Sequence, residues 1–506
     1  MGNKQIKAGV ILSYILIIIN ALYGLFLTPY MLSKLGEAEF GVYKTITSLS
    51  SSLMVLDLGI GGTVMRYVAS YKAKKQDGKI PNFLFSMFIQ AFALCVVVGI
   101  VGVIVGSSLD SIYSNTFTSS QIHKAKQLFA ILIINMAFHI LENVANGIIT
   151  GCNRFIFANG LKLVRLITRI FLIYFLLGII DNSIVIVCID LAITVSLLVI
   201  ELLYVYLRLR LKIKFSFWDK SVFLESGKYT ILMFLTSFAA QVNNNLDNVI
   251  IGALKGPELV SIYSMGLLIF AMYENLSTSV SGVMLPTVSN IIEDKDSSEK
   301  LNNLIIKVGR IQFSLLGAAV VGFVCLGKQF INLWLGDKYT DVYIITLILM
   351  IPSLFELCVN VCLSILRAKN MLSFRTIILF SSTVLNGVVT VLFVKYWSYI
   401  GAAIGTATSF VVGSLIIMNI YYYRRLGLNM INIYLQILRR IWLCLGVSGA
   451  VLYISSGYIF GSWISFVINV LIFVIVYSIT MILFGLSKDE LATIPVLNKF
   501  LRRNAK

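Results

Sequence analysis

Long apolar segments recur along the whole chain, separated by short polar connections. Each segment holds about 20 predominantly apolar residues, the length of helix that crosses a bilayer. The strands of an outer-membrane barrel would instead alternate apolar and polar side chains, and these unbroken runs do not. The pattern predicts an all-α polytopic membrane protein with about 14 transmembrane helices, over residues 9–31, 42–66, 83–106, 126–150, 161–180, 183–207, 229–253, 260–285, 305–327, 342–366, 376–395, 400–423, 440–460 and 463–485.

Composition supports the same fold class. Hydrophobic residues make up 58% of the 506 residues and charged residues 13%, against about 45–50% and about 25% in soluble domains. Because the apolar excess runs the whole length, a soluble enzyme with a membrane anchor, a disordered chain and a coiled-coil rod are excluded. The seven cysteines form no CxxC pair and lie mostly in apolar segments, so we interpret them as small buried residues rather than a disulfide or metal site.

The distribution of basic residues predicts the orientation in the membrane. The net charge is +18, from 41 Lys and Arg against 23 Asp and Glu, and cytoplasmic loops are enriched in Lys and Arg. The apolar run from Val10 to Met31 is too long for a signal-peptide core and is interpreted as a retained first helix. With both termini cytoplasmic, eight of the 41 basic residues fall on the outer side: Lys34, Lys44, Lys124, Lys126, Lys255, Lys328, Lys338 and Lys395.

Two halves of similar organisation are predicted. The turn after the first span contains Gly36 and Tyr43, and the turn after the seventh contains Gly256 and Tyr263, an offset of 220 residues in both cases. Duplicated halves are a common construction of transporters. We therefore predict an N-lobe of six spans over 1–207, a basic cytoplasmic linker over 208–228, a C-lobe of six spans over 229–423, and spans thirteen and fourteen with a cytoplasmic tail over 424–506.

Three stretches of the sequence resemble a known family of transporters. They read LGEAEFGVYKTITSL over 35–49, LDLGIGGTVMRYVASY over 56–71 and LDNVIIGALKGPELVSIYSMGLLI over 246–269. In these stretches the chain is similar to polysaccharide and O-antigen flippases, the polysaccharide transporter branch of the multidrug/oligosaccharidyl-lipid/polysaccharide exporter superfamily. The resemblance implies two six-helix lobes around a central cavity lined by spans one, two, seven and eight, with two extra C-terminal helices.

The resemblance also implies a function. Such proteins move an undecaprenyl-diphosphate-linked oligosaccharide across the bacterial cytoplasmic membrane by alternating access, during synthesis of surface polysaccharides such as lipopolysaccharide O-antigen or capsule. They are driven by an ion gradient, of H⁺ or Na⁺, with no other cofactor and no nucleic acid. Membrane lipids, a polysaccharide polymerase and chain-length machinery are the partners implied. The alternatives are a drug/cation antiporter of the same superfamily and a membrane-embedded polysaccharide polymerase; otherwise the chain is expected not to be an enzyme.

Acidic residues inside the predicted spans are candidates for ion coupling, because an ionisable group in lipid is costly unless it faces a cavity or a partner. Asp57 in span two and Glu274 in span eight lie at nearly matching positions of the two halves. They are interpreted as carriers of a coupling proton or cation. The alternative for Asp57 is a local structural role, in which its carboxylate binds backbone groups of the nearby glycines.

Spans four and ten supply three further candidates for ion coupling. His139 and Glu142 are three residues apart and share a helix face, so they form either a proton relay or a buried, satisfied pair. Glu356 follows Pro352, which should kink its helix. An acid on a kinked span is consistent with a moving element.

Basic residues that reach into the spans are candidates for binding the diphosphate, which Arg and Lys recognise well. The alternative for each is a side chain that extends to the inner lipid headgroups. The strongest candidate is Arg66, because it belongs to one of the stretches that carry the resemblance. The set is Arg66, Arg165, Arg169 and Arg310.

Span seven is unusually polar, with amides and a carboxylate at Asn243, Asn244 and Asp247. Planar amide and carboxylate groups suit the hydroxyls of a sugar, so these residues are candidates for substrate binding. The same groups could ligate sodium. The alternative is hydrogen bonding between helices.

Overall fold

The computed structural model describes residues 2–53, 59–211, 241–243, 245–281, 284–292, 297–369, 371–458 and 461–486. Asp57, Asn244 and residues 212–228 of the predicted linker lie outside the described residues, so the hypotheses about them stay predictions.

Every regular element within the described ranges is helical, as the long apolar runs predict. Segments of π-helix extend α6, α13 and α17, over Tyr204–Arg208, Phe410–Ile417 and Met481–Gly485. The helices are α1 Gly2–Leu53, α2 Ile60–Ala73, α3 Ile80–Tyr113, α4 Ser119–Gly151, α5 Phe155–Leu177, α6 Ser183–Leu203, α7 245–255, α8 Pro257–Ser281, α9 Leu285–Ile292, α10 Ser297–Leu335, α11 Asp341–Cys358, α12 Val361–Ala368, α13 Leu372–Ser409, α14 Met418–Leu426, α15 Met430–Leu438, α16 Ile441–Tyr458 and α17 Trp463–Thr480.

Local sequence signals set several helix boundaries. Thr118 begins α4 with a capping box, in which its hydroxyl accepts from the backbone N–H of Gln121 and the Gln121 side chain accepts from the backbone N–H of Thr118. Asn182 caps α6 by accepting from the backbone N–H of Ile184 at 3.0 Å. Both arrangements satisfy N–H groups that the first turn of a helix leaves without partners.

The predicted turns appear as breaks within long helical runs. Gly36 interrupts α1 at φ 74° and ψ 166°, and Trp397 and Ser398 interrupt α13. The two glycines matched between the halves, Gly36 and Gly256, both have positive φ, of 74° and 99°. Glycine adopts this conformation without the steric cost that a Cβ brings, so both turns depend on this residue type.

The second predicted span, over 42–66, is not one uninterrupted helix. The structure describes α1 as far as Leu53, and α2 begins at Ile60 after Gly59, which is in the left-handed conformation with φ 63° and ψ 24°. The apolar run by itself predicts continuity through this region, whereas the positive φ of Gly59 interrupts the helix.

Eight helices within the described ranges are long and apolar enough to cross a membrane, or nine if the bent pair α15 and α16, at 44° to each other, is one span. The chain is therefore an all-α, multi-pass membrane protein. The larger count of fourteen remains a prediction. Large apolar side chains that are more than half exposed fit a lipid-facing surface, and they include Phe92, Val103, Phe171, Ile464 and Leu483.

The chain divides into two compact units. The first comprises Met1–Ser264 with Val394–Tyr399, and α4 packs there against α2, α3 and α6. Its α2–α4 contact is close: a Cβ on Gly61 would lie 2.7 Å from the carbonyl oxygen of Asn143, and one on Gly147 2.5 Å from that of Gly61. The glycines therefore bring the two backbones together.

The second unit comprises Met265–Phe393 with Ile400–Lys506. Its most extensive helix packing involves α10, which packs against α11, α15 and α16. Leu326, Leu452 and Phe473 form a small buried cluster among α10, α16 and α17. The last two helices are thus part of the packing of this unit rather than an appendage.

Candidate functional site

Arg165 joins three helices of the first unit. Its Nη1 donates to both carboxylate oxygens of Glu142 on α4, at 3.1 Å each, and its Nη2 donates to Thr194 Oγ1 on α6 at 3.2 Å. Glu142 is buried. The structure thus brings together two residues that the sequence analysis assigned separately, one to substrate binding and one to ion coupling.

Arg169, one helical turn further along α5, is held more completely. Its Nε and Nη2 donate to the two carboxylate oxygens of Asp190 on α6, at 2.5 and 2.9 Å, and its Nη1 donates to Tyr23 Oη on α1 at 2.5 Å. Tyr43 lies within electrostatic reach of Arg169, and the guanidinium lies 5.1 Å from the centre of the Tyr23 ring. In this conformation the positive charge of Arg169 is balanced by protein groups.

The matched tyrosines of the two halves both lie near a charged group. Tyr43 is within electrostatic reach of Arg169, whereas Tyr263 donates its hydroxyl to Asp247 Oδ2 at 2.5 Å. Asp247 is only 2% exposed. Its contact supports the alternative of bonding between helices for this member of the polar run.

Two of the three stretches that carry the resemblance, 35–49 and 246–269, contact each other within the first unit. Asn248 Nδ2 donates to Ser48 Oγ at 2.9 Å. A Cβ on Gly41 would overlap the carbonyl oxygen of Pro257, and one on Gly252 would lie 2.8 Å from the Thr45 side chain. The second half of α1 therefore packs directly on α7 and the start of α8. Asn243 lies further along this polar face and is half-buried.

Two acidic residues within the predicted spans of the first unit were not among the candidates predicted from the sequence. They are Asp190, the partner of Arg169, and Glu201, whose Oε1 accepts from Asn146 Nδ2 at 2.9 Å. Both stand in the apolar run of span six, where any acidic residue is a functional candidate, so the signal was present. His139 pairs with Asn143, at 3.0 Å between His139 Nδ1 and the amide nitrogen, whereas Glu142 is bonded to Arg165.

In the second unit the structure brings two predicted ion-coupling residues together. Glu274 of α8 and Glu356 of α11 lie close enough to interact electrostatically. The Ser414 side chain and the positive charge of Arg375 lie near Glu356. Two carboxylates in one apolar environment favour a state in which at least one carries a proton.

The other two arginine candidates differ in their surroundings. Arg66 lies on α2 and is exposed. Arg310 of α10 donates to three backbone carbonyls, those of Gln436, Arg439 and Gly485, at 3.1, 3.1 and 2.7 Å. Its guanidinium thereby ties α10 to the end of α15 and to the end of the last helical segment.

No group of three or more His, Cys, Asp or Glu side chains that could hold a metal ion occurs among the described residues. The chemistry that the arrangement offers is therefore proton and charge handling: ion-paired arginines in the first unit and a carboxylate pair in the second. None of these groups is arranged as a nucleophile with its base.

Comparisons with known proteins agree with this architecture. The family model described as polysaccharide biosynthesis protein matches residues 6–292, more than half of the chain. The probable flippase AglR of Haloferax volcanii is 27% identical over 176 residues, which cover 34% of this chain and 36% of AglR. That match spans about a third of the relative's length.

Solved structures share the fold. The lipid II flippase MurJ, in an inward closed conformation, superposes with a TM-score of 0.69 at 16% identity, covering 93% of this chain and 97% of MurJ. An inward-facing multidrug resistance MATE transporter of the MOP superfamily has a TM-score of 0.62 at 16% identity, covering 79% of this chain and 93% of the transporter. At such identities the likeness is one of fold.

Proposed function

The chain belongs to the polysaccharide biosynthesis protein family, and from this we propose that it flips a lipid-linked oligosaccharide, carried on undecaprenyl diphosphate, from the inner to the outer leaflet. It is a flippase-like transporter of the MOP superfamily fold and not an enzyme. Its substrate, its direction and its place in O-antigen or capsule synthesis are the proposal.

The family match over residues 6–292 is the observation that carries the proposal. Two findings add support. Two of the stretches that resemble flippases, 35–49 and 246–269, contact each other in the first unit, and the fold likeness to the lipid II flippase MurJ extends over 93% of the chain. The fold is also shared with a multidrug transporter, so the family match is what favours the flippase over a drug/cation antiporter.

The proposed architecture follows the sequence analysis. Fourteen spans form an N-lobe over 1–207 and a C-lobe over 229–423, joined by the linker 208–228 and followed by two extra spans within 424–506. Both termini lie in the cytoplasm of a bacterium. A polysaccharide polymerase and chain-length machinery would receive the flipped lipid on the outer side.

For the substrate, Arg66 is the proposed diphosphate ligand. It is exposed on α2, and a guanidinium can bind phosphate oxygens with two parallel hydrogen bonds. Arg165 and Arg169 would take part only after a change of conformation, because their guanidinium groups are bonded within the first unit. For Arg310 the carbonyl contacts favour a structural role. Asn243, Asn244 and Asp247 remain the proposed sugar contacts.

We propose that transport is driven by a coupling ion, H⁺ or Na⁺, which binds to carboxylates within the membrane spans. Glu274 and Glu356 are the preferred pair, because each lies within the electrostatic reach of the other. Asp57, and the pair of Glu142 and His139, are the other proposed positions. Protonation of one carboxylate removes charge repulsion between two helices, and this is a physical route from an ion gradient to helix movement.

Lipid analysis of a deletion strain tests the function in cells. The expected result is accumulation of an undecaprenyl-diphosphate oligosaccharide on the inner leaflet together with loss of surface polysaccharide. If completed repeat units instead reach the outer leaflet unpolymerised, the protein acts at polymerisation. If glycans are unchanged and drug sensitivity rises, the antiporter is correct.

Reconstitution tests the proposed diphosphate ligand. Purified protein in vesicles should expose a labelled lipid-linked oligosaccharide to an impermeant glycosidase. Arg66→Ala should slow this at least tenfold, and Arg66→Lys should slow it less because it keeps the charge without the fork geometry. Lys72→Ala, an exposed basic residue on the same helix, is the matched control. If Arg66→Ala flips the lipid at the wild-type rate, Arg66 is not the diphosphate ligand.

A further inference from the structure

Glu201 is the most deeply buried carboxylate among the described residues, at 1% exposure. It lies on α6 near the predicted inner end of span six, facing α4. Its Oε1 accepts a hydrogen bond from Asn146 Nδ2 at 2.9 Å. Its Oε2 is buried and has no hydrogen-bond partner in the part of the chain that the structure describes.

The neighbouring charges do not compensate Glu201 as an anion. The charged groups around it are Glu142 on α4, and Lys162 and Arg165 on α5. Arg165 already donates to both oxygens of Glu142 and to Thr194. Lys162 is exposed, and within the described residues neither cation forms an ion pair with Glu201. Glu142 carries a negative charge in its pair with Arg165, so an ionised Glu201 would be a second buried anion without an ion-pair partner of its own.

A buried carboxylate that has one amide donor and a second oxygen without a partner is costly in its charged form. The reason is that one hydrogen bond does not offset the free energy of desolvating the ion. A neutral carboxylic acid fits the same place at lower cost, since no charge is desolvated and its carbonyl oxygen keeps the bond from Asn146. The contacts of Glu142 show the opposite arrangement, with an arginine on both oxygens. One carboxylate of the two is built to be charged and the other to be neutral.

We propose that Glu201 is a proton-binding site, occupied in the conformation described, and that Glu142 and Arg165 control its release. Arg165 is within electrostatic reach of both carboxylates. If its guanidinium moves from Glu142 to Glu201, the Glu201 O–H bond breaks, the proton passes to water or to Glu142, and Glu201 becomes the charged member. Two carboxylates thus share one guanidinium and one proton.

Resting on the proposed function, this inference makes H⁺ the coupling ion and Glu201 a residue that carries it. The site lies wholly within the first unit and is separate from the pair of Glu274 and Glu356. The sequence alone does not distinguish Glu201 from Asp190, which lies on the same helix. The difference is that both oxygens of Asp190 are bound by Arg169.

Infrared spectroscopy of the purified protein tests proton binding without any substrate. Alongside any contribution from the pair of Glu274 and Glu356, the wild-type spectrum should contain a carbonyl band from protonated Glu201, identified by its shift in D₂O, and Glu201→Gln should lack this band. It should persist in Asp181→Asn, which alters a well-exposed acid before α6. If Glu201→Gln leaves the band unchanged, Glu201 is ionised and the proposal is overturned.

A second variant keeps the proposal testable if Glu201→Gln does not fold. In Glu142→Gln, Arg165 loses its carboxylate partner, so it should pair with Glu201 and remove the proton. The expected result is again loss of the band, although Glu201 itself is intact. Persistence of the band in Glu142→Gln would show that Arg165 does not control Glu201.

Flipping in vesicles separates this inference from the proposed function. With a pH gradient, wild-type flipping should accelerate, and Glu201→Gln should flip at a rate that no longer responds to the gradient. Wild-type flipping that depends on the pH gradient and is unaltered in Glu201→Gln would refute the proton role and leave the flippase standing. No flipping by the wild type would refute the function, while the infrared result would still decide protonation.

Discussion

Arg169 and Asp190 form a bidentate ion pair between α5 and α6, with guanidinium Nε and Nη2 at 2.5 and 2.9 Å from the two carboxylate oxygens. The planar fork of arginine matches a carboxylate in this geometry. Tyr23 of α1 closes the remaining side. Three helices of the first unit therefore meet at one charged centre inside an apolar region.

Breaking this ion pair from either side should destabilise the protein more than removing both charges. Arg169→Ala leaves Asp190 buried without compensation, which costs about 3–5 kcal/mol for such a pair. Asp190→Ala leaves the guanidinium in the same position. The double variant removes both charges and should melt at a higher temperature than either single variant in detergent. Additive losses in this double-mutant cycle would mean that the two residues do not depend on each other.

The close contact of α2 and α4 predicts different effects for two adjacent glycines. Gly61→Ala should lower the melting temperature, because its Cβ would lie 2.7 Å from the Asn143 carbonyl oxygen and overpacking costs about 1–3 kcal/mol. Gly62→Ala meets nothing within 4 Å. It should be neutral or stabilising by up to about 1 kcal/mol. Equal melting temperatures for the two variants would contradict the packing described.

Arg310 should hold α15 and the helical segment Met481–Gly485 in place. Arg310→Ala removes donors to the carbonyls of Gln436, Arg439 and Gly485, and a hydrogen bond from a charged donor contributes about 1.5–3 kcal/mol. Hydrogen exchange should therefore rise in peptides that cover α15 and the last turn before residue 486. Lys307→Ala, an exposed residue one turn earlier, is the control and should leave exchange unchanged.

The carboxylate pair of the second unit predicts a gain in stability with a loss of coupling. Glu356→Gln puts a neutral amide in place of one of two carboxylates that must otherwise hold a proton to avoid like-charge repulsion, so the melting temperature should rise while flipping driven by an ion gradient falls several-fold. Glu299→Gln, an exposed acid at the start of α10, should change neither property. Gradient-driven flipping at the wild-type rate in Glu356→Gln would exclude this residue from coupling.

Residue patterns predicted the helical membrane class, because apolar runs of bilayer length have few other structural solutions. They also predicted the matched turns at Gly36 and Gly256, since a positive φ requires a particular residue type. The division of the second predicted span between α1 and α2 was not predicted. Average hydropathy does not register a change in backbone path at a glycine.

Sequence identified the charges inside the spans but could not assign their partners. Glu142 and Arg165 are 23 residues apart, Arg169 and Asp190 are 21 apart, and Arg310 bonds to carbonyls more than 120 residues away. Backbone carbonyls leave no signature in a sequence. Glu201 and Asp190 look equivalent as acids in one apolar run, and only the tertiary structure distinguishes them.

The sequence by itself determined the fold class, the sign of the charges within the spans and the family, because these depend on composition, period and short motifs. The tertiary structure decided which charges neutralise one another and which one is left with a buried, open oxygen. That outcome depends on how helices far apart in the chain pack together. The proton assigned to Glu201 is a consequence of packing that no local pattern encodes.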